Sequence, residues 1–388
     1  MSATISMRKL FLALVTIATC TAALAQEKEP IIVGTTASLS GHFEEFGVEQ
    51  LRGLQMWADD VNARGQLLGR PVELKHYDDR SRDAGAIEGF TRLIEQDGAD
   101  FLVGPYSSSL TLEASLVAER HDIPMVASAA SSEQIWSRGL RNIFGIDTPA
   151  GSYLSGLSVA RPAEIKTVAL LYTRTEFGEE VAQGARQIAA TDGLTLVVDE
   201  GHEPQQRDFS ALAARLRVED VDMIMGITSL EDSIALVQHL KQAGVTPNMM
   251  AFTVGPALFE FGDKLGADAE GVLGIVQWLR GVPLPGSEDF AYRYRQRYGH
   301  NPGVYAAIGY SAGQVIEAAV RLAGSTEPDT VREQLRSMQF RSLLGRYQVD
   351  ETGRQIGKRN YLLQWQDGHR RLVAPENVAE RTLVYPLP

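Results

Sequence analysis

The stretch Phe101–Ser132, FLVGPYSSSLTLEASLVAERHDIPMVASAASS, contains the pattern that decides the fold. Phe101 to Gly104 and Pro124 to Ser128 are short apolar runs typical of buried strands, and a stretch of helical length over Leu112 to Glu119 lies between them. This order predicts a parallel βαβ unit. Small and hydroxylated residues follow each strand, at the edge where open α/β sheets bind ligands.

The same alternation of strands and helices extends along the chain on both sides. Leu51, Leu54, Ala58 and Val61 recur at spacings of three and four, which predicts an amphipathic helix that Gly65 ends. The two runs of strands predict an α/β fold of two lobes, each a doubly wound parallel sheet. The other predicted strands are Ile31 to Leu39, Val72 to Asp79, Asn142 to Ile146, Thr167 to Thr173, Leu194 to Gly201, Met223 to Thr228, Met249 to Val254 and Gly271 to Trp278.

The C-terminal part of the chain has a different pattern. Three helical stretches follow the loop-like segment Gly281–Gly286 without a strand between them, and we expect them to cover the first sheet. Arg346 to Val349 and Tyr361 to Gln366 are predicted to pair as a hairpin around turn residues Asp350 to Gly353. The three predicted helices are Glu288 to Tyr298, Val304 to Ala323 and Asp329 to Met338.

The N-terminus has the layout of a secretory signal peptide. Arg8 and Lys9 precede an apolar run from Leu10 to Ala18, and Ala23-Leu24-Ala25 precedes a polar stretch, so we expect cleavage after Ala25. The apolar run is shorter than the roughly 20 residues that span a membrane. We therefore expect an exported chain with no stable membrane insertion.

Composition narrows the functions that the chain can have. Cys20 is the only cysteine of the 388 residues and lies in the predicted signal, which would leave no disulfide and no thiol site in the mature chain. A lipoprotein with Cys20 as its first residue is an alternative, although Thr19 fits that pattern poorly. Loss of Arg8 and Lys9 would change the formal charge from −12 to −14. Because such a surface repels phosphate backbones, nucleic acid is not an expected partner.

The sequence contains no recognisable catalytic or metal-binding set. The seven histidines are scattered, with no two spaced four residues apart. Ser107 to Ser109 does not form a Gly-x-Ser-x-Gly elbow, and no phosphate-binding glycine loop follows the first strand. We therefore predict a protein that is not an enzyme and has no catalytic residues, metal or cofactor. A hydrolase is a remote alternative.

A series of short motifs resembles a known family. The motifs are Ser40-Gly41 with Phe46-Gly47, Leu68 to Leu74, Tyr77-Asp78-Asp79, Leu102 to Pro105, Ile123 to Val126, Phe177-Gly178, Asp208-Phe209-Ser210 and Ala269 to Val272. In this order the chain resembles the type I periplasmic solute-binding proteins of the leucine/isoleucine/valine-binding family, which serve branched-chain amino acid ABC importers. The resemblance covers essentially the whole mature chain. It implies a periplasmic receptor whose two lobes close on a small amino acid or related carboxylate or amide and present it to the permease subunits.

The resemblance also implies where the lobes begin and end. Three chain crossings are expected near Asp147 to Ala150, Leu279 to Pro285 and Leu344 to Tyr347. The expected boundaries are residues 1–25 for the signal, 27–147 plus 281–344 for lobe 1, and 148–280 plus 345–388 for lobe 2.

Several residues match positions where the family contacts its ligand. Ser108, Ala130 and Ser131 match the loops that hold the α-carboxylate and the amino group, and the positive end of the helix dipole after Ser107 favours an anion. An alternative is that these hydroxyls only cap helices. The predicted ligand contacts are Phe46, Tyr106, Ser107, Ser108, Ala129, Ala130, Ser131, Phe177, Trp278 and Tyr305.

One departure from the family concerns the ligand's ammonium group. Members often place an acid of the second lobe near it, whereas Thr253 to Ala257 contains none. Glu231 or Glu260 would be substitutes, although solvation on a helix surface is their ordinary role. Without an acid a buried ammonium is poorly compensated, so a carboxylate or amide lacking the α-amino group is an alternative ligand. A ligand-sensing module of the same fold is an alternative function.

Overall fold

The computed structural model describes residues 28–388, so the predicted signal peptide and Cys20 lie outside the described residues. The first of its two large sheets has five strands, all parallel, in the order β2-β1-β3-β4-β5. These strands end within one or two residues of the predicted positions, because each is a short apolar run with turn residues on either side. They are β1 Ile31–Ala37, β2 Val72–Asp78, β3 Phe101–Val103, β4 Met125–Ala127 and β5 Ile143–Gly145.

The second large sheet has seven strands in the order β14-β13-β10-β9-β8-β6-β7. Its first five strands in sequence are parallel and repeat the order of the first sheet, while β13 and β14 add an antiparallel hairpin at the β10 edge. The strands from β6 onward are β6 Thr167–Thr173, β7 Thr195–His202, β8 Met223–Ile227, β9 Met249–Phe252, β10 Leu273–Val276, β11 Phe340–Ser342, β12 Gly345–Tyr347, β13 Tyr361–Gln366 and β14 His369–Ala374.

Helices connect the parallel strands and cover both sheets. The three helices α10 to α12 follow β10, and α11 packs against α1 and contacts β3 and β4, so these helices return to the first sheet as expected. No helix within residues 28–388 is long and apolar enough to cross a membrane. The helices are α1 Glu44–Ala63, α2 Asp83–Glu95, α3 Ser108–Arg120, α4 Gln134–Ser137, α5 Ser155–Ala160, α6 Glu176–Asp192, α7 Ser210–Glu219, α8 Leu230–Gln242, α9 Phe259–Leu265, α10 Ser287–Tyr298, α11 Val304–Ala323 and α12 Pro328–Ser337.

The predicted pairing of Arg346 to Val349 with Tyr361 to Gln366 is wrong. Strand β12 pairs with β11, and β13 pairs with β14 through a turn at Asp367-Gly368. The turn at Asp350 does exist, because its carboxylate accepts hydrogen bonds from the backbone of Thr352 and Arg354, but it closes only one bridge. Turn residues identify a turn locally and do not identify the strands that flank it.

Residues 345–355 lie against the first sheet. The amide of Gly145 in β5 donates to the carbonyl oxygen of Gly353 at 2.8 Å, and the hydroxyl of Tyr347 donates to the carbonyl oxygen of Leu335 in α12 at 2.6 Å. These contacts join residues 345–355 to β5 and α12.

Candidate functional site: the cleft between the two sheets

A cleft of about 350 Å³ lies where the carboxyl ends of both sheets face each other. Its walls come from the loops after β1, β3, β4 and β5 of the first sheet and after β6 to β10 of the second sheet. The volume is in the range of pockets that bind small molecules. Parallel sheets place every such loop at one edge, which explains why loops distant in sequence meet here.

The structure brings most of the predicted contact residues to this cleft. Ala130 and Trp278 do not line it. The methyl group of Ala130 is fully buried in the core that includes Trp136. The indole Nε1 of Trp278 donates to Ser287 Oγ at 2.9 Å, and its ring packs edge-on against Phe290, so it joins β10 to α10. The predicted residues that do line the cleft are Phe46, Tyr106, Ser107, Ser108, Ala129, Ser131, Phe177 and Tyr305.

Aromatic rings form the wall on the side of the first sheet. Phe46 lies in the first turn of α1 and stacks on Tyr106 with ring centroids 4.4 Å apart. Tyr305, in the first turn of α11, meets both rings edge-on at 5.1 Å. Offset and edge-on contacts of this kind hold the rings in fixed orientations, so the wall exists before any ligand enters.

A second aromatic pair lies on the opposite side. Phe177, in the first turn of α6, meets Tyr153 edge-on at 5.2 Å. The phenyl ring of Phe177 has no hydrogen-bonding group and presents an apolar surface to the cleft. The two aromatic groups therefore give the cleft apolar walls suited to an aliphatic or aromatic portion of a ligand.

The serines after β3 have both structural roles and a position in the cleft. Ser107 Oγ accepts a hydrogen bond from the amide of Leu110 at 3.1 Å and is the N-cap of α3. Ser108 Oγ accepts from the amides of Ser131 and Ser132 at 3.2 and 3.1 Å, which ties the loops after β3 and β4 together. The capping alternative is therefore correct for the Ser107 hydroxyl, although the residue also lines the cleft.

Two polar groups in the cleft have no partner. Ser131 Oγ and Asp147 Oδ1 are buried and make no hydrogen bond to any residue of 28–388. Asp147 follows β5 and is only 3% exposed. Burial raises the pKa of Asp147 to about 7, and the positive charge of Lys358 opposes that rise. Burial lowers the pKa of Lys358 to about 8, and its Nζ donates to Gln277 Oε1.

Acidic residues stand at the exposed mouth of the cleft. Glu45 and Glu231 line it from opposite sides, and Glu231 is paired with Lys264, whereas Glu260 is exposed and does not line the cleft. Desolvation raises the pKa of Glu45 to about 7, with a further contribution from the carboxylates of Glu260 and Glu231. Neither Glu231 nor Glu260 is a free buried acid.

Comparison with known proteins identifies the family. A family model described as periplasmic binding protein matches residues 30–370. The chain belongs to this family. A protein of Brucella abortus named Leu/Ile/Val-binding protein homolog 8 is 27% identical to the chain over 387 residues, and the match covers 92% of this chain and 93% of the relative.

Two further proteins are similar to this periplasmic binding protein. A Pseudomonas aeruginosa protein named leucine-, isoleucine-, valine-, threonine-, and alanine-binding protein is 26% identical, with 86% of this chain and 89% of the relative covered. A solved structure described as a putative branched-chain amino acid ABC transporter from Silicibacter pomeroyi has a TM-score of 0.83 at 22% identity and covers 92% of this chain and 99% of its own. That structure has the same two-lobed fold.

Sequence reasoning missed several residues that line the cleft of this periplasmic binding protein. Asp147 and Tyr153 follow β5, and Gln277 follows β10. None of them follows a strand with the small, hydroxylated pattern that marked the loops after β3 and β4. Asp147 had a signal of another kind, because an acid directly after the apolar run of β5 is expected to be buried.

Proposed function

We propose that this protein captures a small carboxylate-bearing molecule, an amino acid or a related carboxylate or amide, and delivers it to the permease subunits of an ABC importer. The observation that carries this proposal is the cleft itself. Aromatic rings of both lobes face each other across it, and the N-terminus of α3 opens into it. The names of the relatives support an amino acid as the ligand.

The carboxylate of the ligand would bind at the start of α3. This helix has 13 residues, and Ser107, Ser108 and Ser109 at its start all line the cleft. The first backbone N–H groups of a helix lack intrahelical partners, and the helix dipole adds partial positive charge there. The hydroxyls of Ser107 and Ser108 accept hydrogen bonds from backbone amides and keep their own O–H groups, so these hydroxyls add to the backbone N–H groups as donors for an anion.

Binding would shift the two lobes towards a closed arrangement. The supporting observation is that the lining is shared between lobes, with Phe46 and Tyr106 on one side and Phe177 on the other. We propose crossings after β5, after β10 and between Ile356 and Asn360. Binding energy then goes into closure, and no acid, base or nucleophile is required.

Export to the periplasm completes the proposal. The signal-peptide pattern before Ala25 and the family of the chain both support it. A mature chain located there would meet external solutes before the importer does.

The test is thermal unfolding of the mature protein with a panel of leucine, isoleucine, valine, phenylalanine, polar amino acids, short amides and aromatic carboxylates. A ligand at about a hundred times its Kd should add roughly 2.7 kcal/mol of stability, a shift of a few degrees in Tm. Calorimetric titration then gives Kd for each compound that shifts the Tm.

Phe177→Ala should raise the Kd of the best compound about tenfold or more, because an apolar contact surface is lost. Leu322→Ala, at a side chain on α11 that is 62% exposed and does not line the cleft, is the control and should leave Kd unchanged. If no compound of the panel binds the wild-type protein, the proposed function is wrong.

A further inference from the structure

The buried carboxylate of Asp147 is only partly compensated by its neighbours Ser131, Gln277 and Lys358. The residue lines the cleft and is only 3% exposed, and Oδ1 has no hydrogen-bond partner among residues 28–388. A buried carboxylate without a donor is strongly unfavourable. Ser131 Oγ, which is also buried and lines the cleft, is unpaired in the same region. An unpaired carboxylate oxygen beside an unpaired hydroxyl in one cleft indicates that a polar group of a ligand completes the hydrogen bonding of both.

Lys358 does not donate a hydrogen bond to that carboxylate oxygen. Its Nζ donates to Gln277 Oε1, although its charge is close enough to act on Asp147 through space. The negative charge of Asp147 is therefore only partly compensated within the group that it forms with Gln277 and Lys358, and its carboxylate keeps a free oxygen. A cationic group of a ligand would complete it.

The surroundings of Asp147 favour a cation over a neutral donor. Burial raises the pKa values of Tyr106, Tyr153 and Tyr305, and the charge of Asp147 raises them further, so three tyrosines that line the cleft lie near the carboxylate. Rings stabilise an ammonium through their faces, and their low polarity strengthens its attraction to the carboxylate. The other buried acid that lines the cleft, Asp232, is paired with Arg207, and Glu45, Glu176 and Glu231 are exposed.

The sheet order places this acid beside the carboxylate site. Strands β3, β4 and β5 are neighbours, so the loops that contain Tyr106, Ala129 and Asp147 follow one another along the edge of the sheet. Ser131 lies in the middle loop, between the N-terminus of α3 and Asp147. The arrangement offers an anion site and a cation site to the two ends of one small zwitterion.

We propose that Asp147, assisted by Ser131 Oγ, binds the ammonium group of the ligand, so that the ligand is an amino acid and not a carboxylate or amide lacking an amine. This inference rests on the proposed function above. The segment Thr253 to Ala257 lacks an acid for the ammonium, and this inference gives that role to Asp147 at the first chain crossing.

The experiment compares matched ligands by isothermal titration calorimetry on the mature protein. The pairs are leucine with 4-methylpentanoate and phenylalanine with 3-phenylpropanoate, which differ only in the amine. The wild-type protein should bind one amino acid at least about tenfold more tightly than its partner acid. Asp147→Asn should raise the Kd of the amino acid about 100-fold and change the Kd of the partner acid by no more than about threefold, because only the ammonium contact is lost. Asp199→Asn, at an exposed ion pair with Arg186 outside the cleft, is the matched control and should bind as wild type.

A second measurement uses the wild-type protein alone. Since the pKa of Asp147 is about 7, an ammonium that binds there should lower it and release about half a proton per ligand at pH 7. Titration in buffers of different ionisation enthalpy measures that release. The titratable groups that face Asp147 are Lys358, Tyr106, Tyr153 and Tyr305, and at pH 7 the tyrosines are neutral and Lys358 is largely charged.

Three results would overturn the inference. The first is equal or tighter binding of the acids without an amine by the wild-type protein, which leaves the proposed function intact. The second is an unchanged affinity of Asp147→Asn for amino acids, or a loss caused by Glu231→Gln in its place. The third is that neither ligand class binds the wild-type protein, in which case the proposed function fails as well.

Discussion

Polar side chains from three separate segments meet at the inner end of the cleft. Asp147 follows β5, Gln277 follows β10, and Lys358 precedes β13. The three segments are the proposed crossings between the lobes, so the group lies on the axis about which the lobes would move. Its charges are buried, which makes the free energy of unfolding sensitive to their protonation.

The unliganded protein should therefore show an unusual pH dependence of stability. The pKa of Asp147 is raised from 3.8 to about 7, so the unfolded chain loses its proton first, and the contribution of Asp147 to the free energy of unfolding falls as pH rises from about 4 to 7. The pKa of Lys358 is lowered from 10.5 to about 8, so its contribution rises between those values. Each effect is on the order of a few kcal/mol at most.

Urea unfolding of the wild type and of Asp147→Asn across pH 4 to 8 measures the first effect. The difference in unfolding free energy between the two should shift in favour of the variant as pH rises, since asparagine cannot ionise. A difference that stays constant from pH 4 to 7 would contradict the assigned pKa of Asp147.

The sequence predicted some of the cleft residues and missed others, for physical reasons. Ser107 and Ser108 follow a strand and begin a helix, and that local pattern marks a cleft loop in any parallel sheet. Asp147 belongs to the cleft because it is buried near Lys358, which lies 211 positions later in the chain. No local sequence pattern encodes such a contact. Trp278 was predicted to contact the ligand but does not line the cleft, because aromatic residues at such positions serve packing as often as binding.

Helices α1 and α11 lie unusually close to each other, and glycines make this possible. A Cβ atom on Gly309 would stand 2.0 Å from the carbonyl oxygen of Gln50, and one on Gly53 would stand 1.8 Å from that of Ala306. Gln50 in turn donates from Nε2 to the carbonyl oxygen of Gly104 and to Ser128, at the ends of β3 and β4. The contact between the two helices thus supports the loops of the cleft.

Gly309→Ala should destabilise the protein by about 1–3 kcal/mol, since the added methyl group must push α1 away. In an exposed helix the same change would stabilise by up to about 1 kcal/mol. Gly156→Ala in α5, where the nearest atom to the new Cβ is 3.4 Å away, is the matched control and should be neutral or slightly stabilising. Urea unfolding of both variants checks the expectation, and equal stability of the two would contradict it.

Most strands and helices could be predicted because their apolar periods are local. The pairing of β11 with β12 and of β13 with β14 could not, since a strand's partner depends on where the neighbouring segments pack. Residues 345–355 fold back onto β5 and α12, and nothing in their composition distinguishes this from a hairpin with Tyr361 to Gln366.

The two lobes also make a direct contact beside the cleft. Glu180 of α6 accepts hydrogen bonds from Ser132 Oγ at 2.8 Å and from the amides of Glu133 and Gln134 at 2.5 and 3.3 Å. The donors begin α4 on the first lobe. Charge-assisted bonds of this kind are stronger than neutral ones, so the contact favours the arrangement in which the lobes are together.

Glu180→Gln should raise the Kd of the ligand about tenfold without changing which ligands bind, because the closed arrangement becomes less populated. Glu179→Gln, at the exposed neighbouring position, is the control and should not change Kd. Calorimetry measures the affinities, and small-angle scattering should show that the unliganded Glu180 variant has a larger radius of gyration. An unchanged Kd would mean that this contact does not favour the bound arrangement.

The position of Trp278 has an optical consequence. The four tryptophans of the protein are Trp57, Trp136, Trp278 and Trp365, and none of them lines the cleft. Only Trp278 stands at one of the proposed crossings, where its indole N–H donates to Ser287 Oγ at the start of α10. A change in tryptophan emission on adding solute is therefore expected to report movement at this crossing, because the solute does not touch any of the four indoles.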